Sequence, residues 1–432
     1  EDESEQKYQD EVAYEDLHAN RTHVSLWLSV PIWRMGLLTY DEALGIMREH
    51  LKGHGRVCEV PTSDCVGRVL AKEIFAVDAY PRFDNSAVDG YAIGTREDAD
   101  AGRRLRIRNT TFAGDVEAPT IEPGECIRVM TGAPTPSNTF GIAMQEDVKR
   151  IGDFAVLEEA VAEGSHLRLR GSDGGVGDVL LPIGHRINAG SRGLLAAQGI
   201  RKVSVSESVS VAIVTTGDEI VDEHSVPGAA QVRDANGPML ETLGHSAGVV
   251  QVTKIHWPDE FESFCTELFG LAQVVDLILL SGGASVGDRD FVPRAIRELG
   301  HIHFHGVSMR PGKPILFGSI GSCLIFGLPG NPASGFVGFE VFVREAIRSL
   351  EGASECAPMW DEVRYVGTHL AMGREDFQRV EWRGGGVTAV SEQASFGLRS
   401  LALARGLARL PADRDVFDGD AVSVLRLPGR DR

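Results

Sequence analysis

Three short loops carry the residues of this chain whose types and spacing could do chemistry. They are Thr215-Thr216-Gly217-Asp218-Glu219, the segment from Ser281 to Asp290, and Leu328-Pro329-Gly330-Asn331-Pro332-Ala333-Ser334. Glycine-rich backbone can bring bare N–H groups to an anion, and hydroxyl and carboxylate groups can bind a metal or a polar ligand. Any one loop of this composition is also typical of an ordinary surface turn. Three of them together predict a ligand site.

An alternation of strands and helices between about residues 208 and 350 would position these loops. Strands are predicted at 209–214, 249–255, 276–280, 302–308 and 323–326, and helices at 236–246, 259–272, 290–299 and 332–350. This pattern is typical of a mostly parallel sheet with right-handed crossovers. Because ligand loops gather at the carboxyl ends of such strands, we expect the three loops to converge there.

The rest of the sequence indicates a multidomain chain. A capping box from Thr39 to Glu42 begins an amphipathic helix, short strand-like runs follow, and residues 169–203 are rich in glycine. We predict an acidic extension without a catalytic role at 1–35, a discontinuous domain at 36–83 and 169–207, a β-rich domain at 84–168, the α/β domain at 208–355, and a C-terminal β domain at 356–432.

Composition restricts the classes of partner. The 43 basic and 62 acidic residues give a net charge of −19, which disfavours unselective binding to nucleic acid or to an anionic membrane. Six cysteines without a C-x-x-C pair suggest neither a zinc knuckle nor a disulfide framework. No apolar run approaches the roughly 20 residues of a transmembrane helix, and no signal-peptide pattern is present. We expect a cytoplasmic protein that binds neither nucleic acid nor membrane.

The second loop also matches a hydrolase motif. Gly283-Ala284-Ser285-Val286-Gly287 fits the G-x-S-x-G nucleophile elbow. An elbow needs a helix directly after the serine, whereas here the loop continues and Asp290 is the better helix N-cap. The hydrolase interpretation is therefore disfavoured.

Two further groups of residues have open interpretations. His301, His303 and His305 alternate along a predicted strand, where they could share a face and bind a metal, although polar surface is the commoner meaning of this pattern. Arg310 and Lys313 flank a Pro-Gly turn that could hold an oxyanion or could be an ordinary basic turn. The turn lacks the glycine spacing of a Walker A loop.

Six segments together resemble the molybdopterin molybdenumtransferase family, known as MoeA in bacteria and as the gephyrin E domain in animals. They are Phe83-Asp84-Asn85-Ser86-Ala87-Val88-Asp89-Gly90-Tyr91-Ala92, Val129-Met130-Thr131-Gly132-Ala133-Pro134, Thr216-Gly217-Asp218-Glu219, Ser281 to Asp290, Pro311-Gly312-Lys313-Pro314 and Leu328-Pro329-Gly330-Asn331-Pro332. They occur in the family's order, within residues 36–410. Six segments in order are far more specific than any one of them.

The resemblance implies an enzyme that inserts molybdate into adenylylated molybdopterin at the dithiolene and releases AMP. It implies a MoaB/MogA-like three-layer α/β domain with β-rich domains, in an elongated homodimer. The discontinuous domain would then serve as linker and dimerisation domain, and each active site would lie between the α/β domain of one subunit and the β-rich domain of the other. Mg²⁺ would assist, and the molybdopterin adenylyltransferase is expected as a further partner.

The resemblance also implies roles for individual residues. Catalytic roles fall on Asp89, Thr131, Asp173, Glu219, Asp259, Asp290 and Arg310, of which Glu219, Asp259 and Asp290 would bind the metal. Cofactor-binding roles fall on Thr216, Gly217, Gly282, Gly283, Ser285, Gly287, Lys313, Pro329, Gly330, Asn331, Ser395 and Ser400. Substitution of Asp290 by alanine would abolish AMP release.

The chain departs from the family pattern at several positions. Lysine is common where this chain has Gly306 and Arg310, and the C-terminal Q-G-S-x-x-x-S signature appears only as a variant that ends at Ser400. Two other functions therefore stay open. One is a non-catalytic pterin-binding or scaffold protein, which the loss of the lysine at position 306 favours slightly. The other is a nucleotide pyrophosphatase with a related α/β domain, against which the matches at 83–92 and 129–134 argue.

Overall fold

The computed structural model describes residues 37–116, 118–282 and 291–428. The predicted extension at 1–35 and the predicted N-cap at Asp290 lie outside these residues. The helices are Tyr40–His50, Ala189–Ala197, Asn236–Ser246, Phe261–Ala272, Val292–Leu299, Pro332–Gly338, Arg344–Leu350 and Leu398–Leu403, with a π-helical turn at Phe339–Val343 and 3-10 turns at Thr62–Asp64, Arg96–Asp98 and Gln145–Asp147. In the described parts of the chain, none of the helices is both long enough and apolar enough to cross a membrane.

The predicted α/β domain is confirmed. Its six-stranded sheet has the order Val252–Trp257, Val211–Thr216, Leu277–Ser281, Cys323–Leu328, Leu316–Ile320 and His301–His305. The first four strands are parallel and the last two are antiparallel to their neighbours. One apolar core packs on each face of the sheet, which gives three layers. The central strands are buried along their whole length, as expected for strands that helices cover on both sides.

Two details of this domain differ from the prediction. Leu316–Ile320 is a strand that pairs with Cys323–Leu328 in a tight hairpin, although the sequence predicts no strand beside the Pro-Gly turn. The helix predicted at 332–350 is interrupted by the π-helical turn at Phe339–Val343. There the buried Glu340 accepts hydrogen bonds from Arg344, at 2.7 and 2.8 Å.

A second six-stranded sheet forms the β-rich region. Its order is Gly141–Met144, Gly90–Ile93, Glu125–Val129, Arg104–Thr111, Phe154–Leu157 and Val148–Ile151. Two small apolar cores pack against it. The short strands Asn85–Ser86 and Leu167–Arg168 pair with each other and join the two ends of this region. Asp89 follows shortly after the first of these strands.

Residues that precede the β-rich region in the sequence pair with residues that follow it. Val57–Pro61 runs antiparallel to Lys202–Ser206, and Ile74–Phe75 runs antiparallel to Val179–Leu181. These strands and helix Ala189–Ala197 share one small core. The structure thus joins residues 57–75 and 179–206 through strand pairs and one core, and the predicted bounds of the discontinuous domain stay a prediction.

Helix Tyr40–His50 packs on the α/β domain, although the predicted bounds at 36–83 assign it to the discontinuous domain. Its apolar side chains belong to the large core of the α/β domain. The Tyr40 ring packs edge-on against Phe342 and Phe377, at centroid distances of 5.2 and 5.1 Å. Among the described residues, the small core of the discontinuous domain contains no aromatic side chain, so the helix packs on the larger core.

The C-terminal sheet contains a strand from the α/β region. Its order is Met309–Arg310, Glu375–Arg383, Gly406–Leu410, Ala421–Arg426 and Trp360–Arg364, and Gly386–Ala389 pairs with Glu375–Arg383. Arg310 is the register partner of Asp376 in this sheet. The basic turn that follows Arg310 therefore lies between the α/β domain and the C-terminal β domain.

Candidate functional site

A cavity of about 540 Å³ opens at the carboxyl ends of the parallel strands. Eight residues that the sequence predicted line it, namely Thr216, Gly217, Glu219, Asp259, Gly282, Pro329, Gly330 and Asn331. The structure thus brings the three predicted loops together. A larger cavity, of about 610 Å³, lies between helix Tyr40–His50 and residues 354–359 and contains none of the predicted residues.

Two glycines allow the strand ends to approach closely. Gly217 and Gly282 have φ values of 130° and 106°, which side chains rarely adopt. A Cβ atom on Gly282 would lie 2.9 Å from the carbonyl oxygen and from Oγ1 of Thr216. Any other residue at position 282 would therefore push the first two loops apart.

The cavity lining is acidic. Glu219, Asp234 and Asp259 contribute carboxylates, and no lysine, arginine or histidine belongs to the described lining. Partial burial and then the negative charges of Asp218 and Glu219 raise the pKa of Asp259. Carboxylate oxygens are ligands that a hard divalent cation prefers.

The metal site predicted at Glu219, Asp259 and Asp290 stays a prediction. Asp290 lies outside the described residues, as do the predicted ligand contacts Gly283, Ser285 and Gly287. Within residues 37–116, 118–282 and 291–428, no three His, Cys, Asp or Glu side chains are grouped so that they could hold a metal ion.

Of the alternating histidines, His303 packs against other side chains. His303 stacks on His50 with the ring centroids 3.6 Å apart, and its Nε2 lies 3.1 Å from Ser319 Oγ. Burial lowers the pKa of His303 to about 4. The described structure therefore gives no support to a metal site on this strand.

Asp234 and Asn236 line the cavity, and the sequence analysis did not single them out. Asp234 accepts a hydrogen bond from the Gly237 backbone N–H at 2.8 Å and one from Thr215 Oγ1 at 3.2 Å. Asn236 Nδ2 donates to Ser281 Oγ at 2.9 Å and to the Gly330 carbonyl at 2.7 Å. The signal was present in the Asp-Ala-Asn-Gly run at the start of a predicted helix, where such side chains often bond to backbone groups.

The predicted residues of the β-rich region form a second group. Asp89 accepts hydrogen bonds from the backbone N–H and the hydroxyl of Thr131, at 2.7 and 2.8 Å. These bonds lower the pKa of Asp89, although its side chain is exposed. Asp173 is also exposed, and its backbone N–H donates to Tyr80. None of the three belongs to the described lining of the cavity.

The predicted cations flank the turn that leads to Pro314. Pro314 belongs to the lining, but Arg310 and Lys313 do not, and Arg310 Nη1 lies 2.6 Å from Met372 Sδ. Gly306 has a φ of 99°, and a Cβ atom there would lie 2.9 Å from Leu37 Cδ2. The backbone at this position therefore favours the glycine that this chain carries.

Arg379 is a buried cation that the sequence analysis missed. Its Nη2 donates to the carbonyls of Glu392 and Ala394, whereas its Nε and Nη1 groups have no hydrogen-bond partner among the residues that the structure describes. Burial lowers the pKa of Arg379, and the neighbouring charge of Asp376 opposes that change. A guanidinium with unused donors can bind an oxyanion. Nothing in the local sequence separates this arginine from a surface one.

The C-terminal serines have different surroundings. The Ser395 carbonyl accepts a hydrogen bond from the Ala333 N–H at 3.0 Å, which places this loop at the start of helix Pro332–Gly338 and beside Asn331. Ser400 is buried, and its hydroxyl donates to the Gly397 carbonyl at 2.6 Å. Ser400 therefore stabilises its own turn, and its hydroxyl is not open to a ligand in this structure.

Models of protein families match most of the chain. Residues 38–199 match the MoeA N-terminal region (domain I and II), residues 212–349 a probable molybdopterin binding domain, and residues 366–427 the MoeA C-terminal region (domain IV). The molybdopterin molybdenumtransferase of Haemophilus influenzae is 30% identical over 368 residues, which cover 84% of this chain and 89% of the relative. The chain belongs to the molybdopterin molybdenumtransferase family. The predicted resemblance is thereby confirmed.

A second relative and a solved structure also support this family assignment. The molybdopterin molybdenumtransferase of Staphylococcus aureus (strain COL) is 32% identical over 302 residues, which cover 68% of this chain and 71% of the relative. The crystal structure of the molybdopterin biosynthesis moeA protein from Pyrococcus horikoshii OT3 superposes with a TM-score of 0.77 at 26% identity, covering 90% of this chain and all of that one. The multidomain fold is therefore that of MoeA proteins.

Proposed function

We propose that this protein is a transferase of molybdenum cofactor biosynthesis that inserts molybdate into adenylylated molybdopterin and releases AMP. The observation that carries the proposal is the cavity at the carboxyl ends of the strands, where glycine-lined backbone meets the carboxylates of Glu219 and Asp259. Membership of the molybdopterin molybdenumtransferase family supports the choice of reaction.

The backbone groups and the carboxylates of the cavity would have different roles in the proposed reaction. Backbone at Gly217, Gly282 and Gly330 can approach the phosphate groups closely, since no side chain intervenes. Glu219 and Asp259, with Asp290 after the loop, would hold a divalent cation such as Mg²⁺, and the raised pKa of Asp259 fits such a ligand. When bound, the cation would offset the negative charge of the phosphate group that leaves as part of AMP.

Cations outside the cavity lining would hold molybdate. The candidates are Arg310, Lys313 and the buried Arg379, whose unused N–H groups need an acceptor. Guanidinium groups suit a doubly charged oxyanion because they donate two parallel hydrogen bonds. In this proposal Arg310 takes over the role of the lysine that is common in the family.

A homodimer would complete the site. Asp89, Thr131 and Asp173 are absent from the described cavity lining, and we assign them to the site of the partner subunit. The discontinuous domain exposes apolar side chains at Phe75 and Val179, which are direct neighbours across two paired strands and are each 50% exposed. An exposed apolar patch of this kind suits a second copy of the chain. The molybdopterin adenylyltransferase, as supplier of the substrate in the cytoplasm, is the further partner we propose.

Activity is tested with purified protein, adenylylated molybdopterin, molybdate and Mg²⁺. We expect AMP release that depends on molybdate, and no release across a range of molybdate concentrations would contradict the transferase. Tight pterin binding without turnover would instead establish the scaffold alternative. Hydrolysis of free dinucleotides would establish the pyrophosphatase.

Mixing two inactive variants tests the shared site. Asp89→Ala and Glu219→Ala remove carboxylates that the proposal assigns to different subunits of one site. After subunit exchange at equal amounts, half of the dimers carry one of each, and one of their two sites is intact. About a quarter of the wild-type activity should return. A mixture of Glu219→Ala and Asp259→Ala, which damage the same side of the site, is the control and should stay inactive; equal activity of the two mixtures would contradict the shared site.

A further inference from the structure

Asn236 lies where the ends of three parallel strands meet. Its Nδ2 donates to Ser281 Oγ, at the end of one strand, and to the Gly330 carbonyl, just beyond the end of another. A carbonyl oxygen can only accept, so the amide nitrogen must face Gly330, and this fixes the orientation of the amide. One side chain therefore connects two loops that line the cavity.

The position of Asn236 is itself fixed to the third strand. Asp234 folds back so that its two carboxylate oxygens accept from the Gly237 N–H and from Thr215 Oγ1. A Cβ atom on Gly237 would lie 2.4 Å from Asp234 Oδ2, so only glycine permits this fold. The start of helix Asn236–Ser246 is thereby attached to strand Val211–Thr216.

The two loops that Asn236 connects face each other across the cavity floor. A Cβ atom built on Gly330 would lie 3.8 Å from the Gly282 Cα atom. The backbone of the two loops is joined directly by a hydrogen bond of 3.3 Å from the Gly282 N–H to the Leu328 carbonyl. The amide of Asn236 adds two shorter bonds between the same loops.

We propose that Asn236 is a positioning residue, whose amide holds Ser281 and Gly330 at the spacing in which the cavity receives a phosphate-bearing ligand. The inference rests on the proposed function for the identity of that ligand. The tether, by which we mean the two hydrogen bonds of Asn236 between the loops, does not depend on the proposed function. It concerns the spacing of the two loops in the free protein. The test therefore has one measurement without ligand and one with it.

Hydrogen exchange of the free protein measures how strongly Asn236 stabilises the two loops. In Asn236→Ala, peptides that cover 277–282 and 328–335 should exchange faster than in the wild type. The matched control is Thr242→Ala, which removes an exposed hydrogen bond of 2.8 Å to Pro238 within the same helix, and exchange in those peptides should not change. Unchanged exchange in both variants would overturn the proposal.

Calorimetry with AMP and Mg²⁺ measures the effect on the ligand. Loss of the two bonds in Asn236→Ala should weaken AMP binding about tenfold, and Asn236→Asp, which keeps the shape but cannot donate when ionised, should weaken it at least as much. A residue that merely filled space would tolerate aspartate better than alanine. Near-normal affinity of Asn236→Asp would therefore overturn the proposal.

A double-mutant cycle isolates the bond to Ser281. Ser281→Ala should weaken AMP binding in the wild type, and it should have almost no further effect when Asn236 is already alanine, because the bond is then absent. Effects that simply add would overturn the tether to Ser281. If wild-type protein binds AMP but releases none from the full substrate mixture, the proposed function fails while the tether is still tested.

Discussion

Carboxylates occur in two contrasting settings in this molecule. Glu219 and Asp259 lie together in an acidic cavity, where partial burial and like charge raise the pKa of Asp259. Asp89 lies on the exposed surface of the β-rich region, where two hydrogen bonds from Thr131 lower its pKa. The first setting disfavours the negative charge, and the second stabilises it.

This difference separates two functions of an acidic residue. A carboxylate that is destabilised by its neighbours gains most when a cation arrives, which fits a metal site. A carboxylate that Thr131 already holds in place is oriented before any ligand binds. In the proposed reaction the cavity would bind the metal and the phosphates, and Asp89 would act as a preformed contact from the other subunit.

The largest effect should follow removal of a cavity carboxylate. Glu219→Gln and Asp259→Asn should each lower AMP release by roughly 100-fold or more, which is the size of a lost acid–base or metal contact. Titration with Mg²⁺ should show that the remaining activity needs a higher metal concentration. Full activity at the wild-type Mg²⁺ concentration would contradict a metal site formed by these two carboxylates.

A smaller effect should follow changes to Thr131. Thr131→Val keeps the backbone bond to Asp89 but loses the hydroxyl bond, and AMP release should fall about tenfold. Thr131→Ser keeps both bonds and should stay within about twofold of the wild type. Equal activity of the valine and serine variants would show that the hydroxyl does not orient Asp89.

The smallest effect should appear in the pH dependence of stability. Because the pKa of Asp259 is raised on folding, its contribution to the free energy of unfolding is present below the ordinary value of 3.8 and is lost as the pH rises through the folded pKa. Because the pKa of Asp89 is lowered, its contribution is present above 3.8 and is lost as the pH falls through the folded pKa.

Asparagine variants therefore should change Tm in opposite directions. At pH 7 without metal, Asp259→Asn should raise Tm and Asp89→Asn should lower it, each by only about 1–2 °C because both side chains are exposed. Both differences should disappear in acid, below the pKa values concerned. Shifts of the same sign in thermal unfolding at pH 7 would contradict the contrast between the two settings.

The sequence was sufficient for features that depend on local pattern. Helix Asn236–Ser246 has the predicted bounds, and the capping box at Thr39 is present. The convergence of the loops follows from the alternation of strands and helices, which the sequence shows directly. The strand Leu316–Ile320 was missed because its neighbours in the sequence, Pro314 and Gly321, indicate turns.

Features that depend on distant partners were beyond the sequence. Asn236 bonds to residues 45 and 94 positions away, so no local pattern shows its role. The burial of Arg379 depends on carbonyls of a loop that folds back over its strand. The packing of helix Tyr40–His50 on the α/β core likewise depends on aromatic residues near the other end of the chain.

The acidic lining of the cavity has a kinetic consequence. Most enzymes that bind anions attract them with a positive surface, and salt slows their association. In the proposed function, a phosphate-bearing molecule would approach a lining with three carboxylates, in a protein with a net charge of −19. Salt should therefore speed its association by screening the repulsion. The rate at which this protein captures an anion is then set by the cations around it, and direct transfer from a partner protein would avoid that barrier.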